Sequence, residues 1–309
     1  MDSPVAADRA AAGSAGAGSV TRPLVIDTFM VNDEFDLLEC RLEEMAPAVD
    51  WFIAVEADVD HQGHGKPFHL TDNLDRFAAW KDKLVVVQAS GLPTSEHAAD
   101  PWAREWAQRD WVWEGLRRIG AQPHDIVLHG DVDEICRPLY ARNVRPKPRE
   151  FVTFEQRGHF FAVDWLHPDP WGGTVAVTVG TASACGQRLE VDDELYHPGS
   201  WQIVRNQRNG LMAVNFSSYD LGGGWRHTIL DDAGWHFSWL GGQERAFKKL
   251  GSFCHPEVAD RITEGLTSDQ FLREGWHVDG RKMSAVDVDE TWPQYIFDRR
   301  CPPEWFRPR

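Results

Sequence analysis

The amino-acid sequence predicts an α/β fold with a mostly parallel sheet and a mixed or antiparallel C-terminal extension. Three observations support this prediction. Four short apolar runs, typical of buried strands, alternate with longer amphipathic segments over residues 24–130. The chain of 309 residues is 42% apolar and 26% charged, as ordinary globular proteins are. After about residue 150 the alternation weakens, and strand-like segments follow one another.

The predicted elements can be read in order along the chain. Strands are predicted at 24–30, 51–57, 84–89 and 125–130. Helices are predicted at 33–46, 70–83 and 100–120, the last with Pro101 near its start and Gly120 at its end. Because a helix separates each pair of strands, right-handed crossovers and parallel pairing are expected. Residues 150–168 and 174–184 are predicted as strands of the extension, and a helix begins at about 243.

Composition excludes several classes of protein. The net charge of −16 argues against nucleic acid as the main partner, because binding to phosphate needs a basic face. Five cysteines without a C-x-x-C pair predict reduced thiols and a cytoplasmic location. No apolar run approaches the roughly 20 residues of a membrane span, so no transmembrane segment is expected. Residues 1–22 are rich in Ala, Gly and Ser and predict a flexible tail.

Pairs of aspartates two residues apart occur three times, at 58/60, 131/133 and 287/289. With 29 Asp in 309 residues, roughly 2.7 such pairs are expected by chance, so only their context can assign a role. The first pair leads into a loop, and the third lies in a segment that predicts a solvated turn. Only Asp131 and Asp133 follow a clean apolar strand.

The position of Asp131 and Asp133 allows two interpretations. Ligands of open parallel sheets bind beyond the carboxyl ends of the strands, where two carboxylates can hold a divalent cation and leave positions for diphosphate oxygens. Alternatively, the two carboxylates cap a helix and are favoured by its dipole. The residues alone leave both interpretations open.

Several segments together resemble glycosyltransferase family 17, over residues 24–257. They are "VNDEFDLLECRLEEMAPAVDWFIAVEA", "GKPFHL" with "DRF", "WAREWAQRD", "DIVLHGDVDEI" and "AGWHFSWLGGQERAFKK". The resemblance implies a glycosyltransferase A-like, Rossmann-type sheet with a D-x-D metal site. It also implies one catalytic domain over 23–309. Its parts are a nucleotide-binding part at about 23–140, an acceptor part at about 150–275 and a C-terminal extension at 276–309.

The resemblance also implies a metal site. Asp131 and Asp133 become ligands of Mn²⁺ or Mg²⁺, and His236 in "GWHFSW" completes the shell, since neutral imidazole suits Mn²⁺. The alternative for His236 is a buried histidine held by Trp235 and Trp239. The same two tryptophans are candidates for a wall on which the acceptor stacks.

Contacts with the donor are expected at the ends of the first two strands. Candidates for the nucleoside are Asn32, Asp33, Glu34 and Glu56, together with Asp131. Lys66 and Arg76 match family positions and are candidates to neutralise phosphate. Helix capping and surface charge are the alternatives for these residues. Arg104 and Arg109, on the helix before the fourth strand, are instead expected as buried partners of the acidic cluster.

The implied reaction is an inverting, metal-dependent transfer of a sugar, with GlcNAc a candidate, from a nucleoside diphosphate-sugar such as a UDP-sugar. The acceptor is a hydroxyl of a glycan, a lipid-linked sugar or a small molecule. A carboxylate is expected to remove the proton of that hydroxyl, and the candidates are Glu244, Asp232 and Glu134. The alternative for Glu244 is the first turn of a helix.

Two rival functions come from other classes. A D-x-D phosphohydrolase would carry the motif on its first strand, whereas here it follows the fourth. A non-catalytic sugar-binding protein is suggested by the 15 Trp of the chain, since tryptophan stacks on sugar rings, although most tryptophans are core residues. Metal-dependent affinity for a nucleotide would exclude a simple sugar-binding protein.

Overall fold

The computed structural model describes residues 22–92, 101–186, 200–209, 224–250, 259–268 and 270–308. The strands are β1 Val25–Met30, β2 Trp51–Ala57, β3 Leu84–Ala89, β4 Ile126–Asp131, β5 Glu134–Cys136, β6 Glu150–Phe160, β7 Trp165–Leu166, β8 Trp171–Thr178, β9 Arg226–Leu230, β10 Gly234–Ser238 and β11 Ser284–Ala285. The α-helices are α1 Phe35–Met45, α2 Pro101–Asp110, α3 Val112–Arg118, α4 Pro138–Asn143, α5 Val179–Gly186, α6 Ser200–Asn206, α7 Gly242–Leu250, α8 Ala259–Thr267 and α9 Gln294–Phe297. The 3₁₀ helices are Thr71–Trp80, Gln207–Asn209 and Pro303–Trp305.

The N-terminal half of the sheet is parallel. Its strands lie in the order β4-β1-β2-β3, and each neighbouring pair runs in the same direction. Every residue of β1 and β2 is buried, as expected for parallel strands covered on both faces. The four predicted strands agree with the structure to within one residue at each end, so the parallel arrangement of these four strands is confirmed.

Two predicted helices differ from the observed ones. The segment predicted as one helix at 100–120 forms α2 and α3, which are separated at Trp111, and Gly120 follows with φ 65°, a conformation that glycine adopts without strain. The segment predicted at 70–83 is a 3₁₀ helix kinked at Asn73 and Phe77, and no side chain caps its start. An amphipathic pattern predicts a helical face but not the type of helix.

The second half of the sheet is mixed, as predicted. β8 is antiparallel to β4, and the long strand β6 is antiparallel to β8. β10 runs parallel to β6 and antiparallel to β5, which sets His236 opposite Glu134. These pairings bring a strand from late in the chain beside the residues that follow β4.

Helices cover both faces of the parallel strands. On one face, α1 and the C-terminal segment pack a cluster that includes Phe29, Leu38, Phe52, Tyr295 and Trp305. On the other face, α2, α3 and α6 pack a cluster that includes Ile26, Ile53, Leu116 and Trp201. Among the described helices, none is both long enough and apolar enough to cross a membrane.

Candidate functional site

The candidate site lies at the edge of the sheet where β1, β2 and β4 end. Met30, the last residue of β1, is level with Val55 of β2 and with Asp131 of β4. The segments that follow these strands therefore meet at one edge, where parallel α/β sheets bind ligands. Four segments that carry polar side chains lie at this edge: residues 32–34, 56–66, 131–134 and 205–208.

A buried arginine of α1 holds the Asp131–Glu134 turn in place. Arg41 is fully buried and donates to both carboxylate oxygens of Asp27, at 2.7 and 2.8 Å. The same guanidinium donates to the carbonyl oxygens of Asp131, Val132 and Glu134, at 2.7, 3.3 and 2.7 Å. One paired charge thus fixes the backbone from which the acidic side chains project.

Sequence reasoning missed Arg41 and Asp27, although both left a signal. Arg41 lies on the apolar face of its helix, three or four positions from Leu37, Leu38 and Met45. Asp27 stands inside the apolar strand "LVIDTFM". Since a lone charge is rarely buried without a partner, an opposite charge in each of two apolar patterns predicts a buried pair.

Asp131 is paired with two arginines. Arg109 of α2 donates to Oδ1 and Arg205 of α6 donates to Oδ2, both at 2.7 Å. Burial would raise the pKa of Asp131, but the two guanidiniums hold it well below its usual range. The expected burial of Arg109 against the acidic cluster is therefore confirmed. Each oxygen of Asp131 already accepts from a guanidinium, so the metal role of Asp131 stays a prediction while its structural role is visible.

Glu134 is a structural residue. Its carboxylate is fully buried and accepts hydrogen bonds from Arg205, from the indole N–H of Trp171 at 2.8 Å and from the backbone N–H of Asp131 at 3.2 Å. An acceptor hydroxyl could not reach this carboxylate without disrupting these contacts. The structure therefore removes Glu134 from the candidates for the catalytic base.

Asp133 and His236 form a carboxylate–imidazole pair. Oδ1 of Asp133 lies 3.7 Å from Nε2 of His236, and Oδ2 lies 3.4 Å from Nζ of Lys249. The imidazole stacks on Trp171, with ring centroids 4.2 Å apart. Burial lowers the pKa of His236, so the ring is neutral near pH 7. Its Nδ1 is buried and has no partner among the described residues.

Trp235 and Trp239 have a different role from the one predicted. They are 2% and 7% exposed and belong to the packed interior. Neither offers a free face to an acceptor, so the prediction of a stacking wall is wrong for both. The aromatic ring that holds His236 is Trp171 instead.

Three polar atoms beyond β1 and β2 are buried without a hydrogen-bond partner in the described part of the chain. They are Oδ1 of Asn32, Oδ1 of Asp58 and Nζ of Lys66. Burial lowers the pKa of Lys66, while neighbouring carboxylates, Glu56 first among them, oppose this shift. Since buried polar groups are normally paired, a cluster of unpaired ones at a ligand-binding edge indicates a position for a polar ligand.

Asp33 and Glu34 already have partners. Asp33 forms ion pairs with Arg245 and Lys248 of α7, and these bonds lower its pKa to about 2 although burial would raise it. Glu34 accepts the backbone N–H of Asn32 at 3.0 Å. Asp33 therefore connects α7 to the end of β1 through two ion pairs, and Glu34 stabilises the turn that follows β1.

Glu56 and Arg76 both have protein partners that occupy their charged groups. Glu56 is fully buried and accepts the backbone N–H groups of Leu70 and Thr71 at 2.8 and 2.9 Å, so it stabilises that turn and does not face a ribose. Arg76 forms ion pairs with Asp36 and Glu39 on the surface. Its charge is already balanced there, and a contact with phosphate stays a prediction.

Arg208 is a site residue that sequence reasoning missed. Its guanidinium lies over the ring of Trp171, 5.0 Å from the centroid, and it forms no hydrogen bond or ion pair within the described ranges. Burial and the neighbouring charge of Arg205 lower its pKa to about 10. Such an unbalanced positive charge beside Asp131 would be stabilised by an anionic ligand. The only sequence signal was the pair of arginines in "RNQR".

The two remaining candidates for the base differ. Asp232 lies before β10 and pairs with Arg137 and Arg157, at 3.1 and 2.7 Å. These pairs lower its pKa although burial would raise it, which makes the carboxylate a weaker base than an unpaired aspartate. Its catalytic role stays a prediction. Glu244 is exposed in the first turn of α7, the helix that carries Lys249, and its catalytic role stays a prediction.

Comparisons with known proteins support the resemblance. The model of glycosyltransferase family 17 matches residues 16–143. The human beta-1,4-mannosyl-glycoprotein 4-beta-N-acetylglucosaminyltransferase is 27% identical over 245 residues, which cover 74% of this chain and 43% of that protein. The rat protein of the same name is 26% identical over 249 residues. The chain thus spans less than half the length of these relatives.

A solved structure also matches at low similarity. The nucleoside-diphosphate-sugar pyrophosphorylase from Vibrio cholerae aligns with a TM-score of 0.36 and 10% identity, over 67% of this chain and 92% of that one. At this level the match identifies neither fold nor function. The sequence comparisons are the informative ones, and they confirm the predicted resemblance to glycosyltransferase family 17.

Proposed function

We propose, from the premise that this chain is a glycosyltransferase related to family 17, that it transfers a sugar from a nucleoside diphosphate-sugar to an acceptor hydroxyl. GlcNAc is the first candidate, since the matched relatives are named N-acetylglucosaminyltransferases. The observation that carries the proposal is one edge of a parallel sheet at which unpaired polar atoms and an unbalanced guanidinium adjoin a carboxylate–imidazole pair. We assign the sheet to the glycosyltransferase A type on the same premise.

The chain offers separate groups for the two ends of a nucleoside diphosphate. Asn32 and Asp58 supply unpaired oxygen acceptors for hydroxyl and N–H groups of the nucleoside. Arg208 and Lys66 supply positive charge for the diphosphate. Such a local cluster is needed, because the net charge of −16 would otherwise repel a nucleotide.

Asp133 and His236 fit a divalent cation. A carboxylate and a neutral imidazole suit Mn²⁺, with Mg²⁺ as the alternative, and the two ligand atoms face each other at 3.7 Å. When bound there, the cation supplies Lewis-acid stabilisation of the departing diphosphate. Trp171 holds the imidazole from one side by stacking, and Arg41 holds the backbone of Asp133's turn.

The acceptor must lose its proton as the sugar is transferred with inversion. Glu134 and Asp232 are occupied by arginines, whereas Glu244 is exposed on α7. We therefore retain Glu244 as the candidate that could meet an acceptor hydroxyl. Glycans, lipid-linked sugars and small molecules remain the candidate acceptors.

Hydrolysis of a panel of UDP-sugars during titration with Mn²⁺ tests the proposal. We expect metal-dependent release of UDP by the wild type and at least about a 100-fold loss in Asp133→Asn, the size expected when a metal ligand is removed. The matched control is Asp289→Asn, because Asp289 belongs to the exposed aspartate pair and only caps Thr291.

Each rival function has its own outcome in this experiment. Equal hydrolysis by Asp133→Asn and the wild type would remove the proposed metal role. Metal-independent sugar binding without any UDP release would favour a sugar-binding protein. Release of phosphate from p-nitrophenyl phosphate that is lost in Asp133→Asn would favour a phosphohydrolase.

A further inference from the structure

We infer that His167, His277 and Asp279 form a second metal site, of the kind that binds Zn²⁺, beside the proposed donor site. The three side chains each offer one ligand atom, and these atoms all lie within 4.8 Å of one another. Two imidazoles and one carboxylate are a donor set suited to zinc and related divalent ions, with a fourth position left for water.

The backbone holds the three residues in place. His277 and Asp279 lie in a tight turn closed by the bridge between Trp276 and Lys282. The N–H of Gly280 donates to the carbonyl of His277 at 2.9 Å, and Gly280 has φ 87°, which favours glycine. His167 follows β7, and its N–H donates to the carbonyl of Gly158 in β6 at 2.8 Å. A rigid turn and the sheet thus contribute ligands from two directions.

The two imidazoles approach different oxygens of one carboxylate. Nδ1 of His277 lies 2.9 Å from Oδ1 of Asp279, and Nε2 of His167 lies 3.1 Å from Oδ2. Nδ1 of His167 lies 3.1 Å from the carbonyl oxygen of Asp169. The backbone N–H of Asp169 lies 3.2 Å from the same Nδ1, so each tautomer of His167 has a partner. In the tautomer that carries the proton on Nδ1, Nε2 presents its lone pair, which is the arrangement that orients a metal-binding histidine.

Asp279 is held by its neighbour Arg281. The guanidinium of Arg281 donates to Oδ2 at 2.7 Å, and the backbone N–H of Arg281 donates to Oδ1 at 2.9 Å. A metal bound by His167 and His277 would therefore share a carboxylate oxygen with one of these donors.

Phe160 links this cluster to the proposed donor site. Its ring centroid lies 4.3 Å from that of His277 and 5.2 Å from that of His236. A metal on the second cluster would therefore fix the turn and the ring that packs against His236. The role we assign to it is structural, and it holds whether or not the transferase proposal is correct.

Isothermal titration of untagged, full-length protein with ZnCl₂ alone tests this site. Because zinc could also bind at Asp133 and His236, the titration is performed in the Asp133→Asn background as well as in the wild type. We expect one zinc site to persist in Asp133→Asn and its affinity to fall about 100-fold when His277→Ala is added. The control His124→Ala changes an exposed histidine and should leave the titration unchanged.

Two results would overturn the inference. One is unchanged zinc affinity in the variant that combines Asp133→Asn with His277→Ala, and the other is loss of all zinc binding in Asp133→Asn alone. Near-UV circular dichroism shows whether His277→Ala folds. If it does not, Asp279→Asn replaces it. Asp279 is 30% exposed in a turn, and asparagine has nearly the same shape as aspartate. Unchanged zinc affinity in that variant is equally decisive. No nucleotide enters the titration, so its outcome is separate from that of the UDP-sugar assay.

Discussion

The two aspartates of the D-x-D motif, Asp131 and Asp133, lie two residues apart in opposite surroundings. Asp131 faces a closed side, where Arg109 and Arg205 each donate to one of its oxygens. Asp133 is on what we call the open side, because its charged neighbours His236 and Lys249 lie farther away, at 3.7 and 3.4 Å, although its side chain is 10% exposed against 33% for Asp131. On the closed side the charge of the carboxylate is balanced by two short ion pairs, whereas on the open side the contacts of the carboxylate are longer.

The two carboxylates of one short motif thus lie in different charge environments. On the closed side, fully buried Arg41 and Glu134 continue the network of Asp131, and such networks are costly to break because a partner is left charged and buried. On the open side, contacts are longer and a polar atom remains unpaired. We therefore expect substitutions on the closed side to reduce stability and substitutions on the open side to reduce function.

Arg41→Met should have the largest effect on stability. It leaves the buried carboxylate of Asp27 unpaired and three carbonyl groups without their donor, and removal of one partner of a buried ion pair costs about 3 to 5 kcal/mol. Urea unfolding followed by circular dichroism measures this cost. Arg117→Met, on an exposed arginine, should leave the unfolding midpoint unchanged. A midpoint of Arg41→Met close to that of the wild type would mean that the turn is held by other contacts.

Asp131→Asn and Asp133→Asn separate the two sides directly. The first leaves two buried guanidiniums with a neutral partner and should lower the free energy of unfolding by about 3 kcal/mol. The second removes a buried carboxylate whose charged contacts are longer and should cost less than the first. Equal losses in paired urea titrations would contradict the division into a closed and an open side.

Arg208→Gln should have the smallest effect, and on binding alone. The pKa of Arg208 is lowered to about 10 by burial and by Arg205, so its charge is disfavoured in the folded chain and its removal should not destabilise the protein. Affinity for UDP in the presence of Mn²⁺ should fall about tenfold, which corresponds to about 1.4 kcal/mol. Calorimetric titration with UDP gives this value, and Lys147→Gln, on an exposed lysine, is the control. Unchanged affinity would place the diphosphate elsewhere.

Local pattern was sufficient for the first half of the fold. The four parallel strands are continuous apolar runs because both faces of the sheet are covered, and the segments between them show helical spacing. The pairing of Arg109 with Asp131 was also within reach, since the arginine lies in the helical segment between the third and fourth strands. The mixed extension was predicted as a class but not in its pairings, because short antiparallel strands carry little information about their neighbours.

The sequence by itself determined the parallel sheet, the position of Asp131 and Asp133 at its carboxyl edge and the resemblance to glycosyltransferase family 17. Only the tertiary structure decided which groups each carboxylate contacts. Arg205 is 74 positions from Asp131, and His236 reaches Asp133 only because β10 pairs with β5. Apolar periodicity is a property of neighbours in the chain, whereas an ion pair depends on contacts between distant segments, which no local pattern encodes.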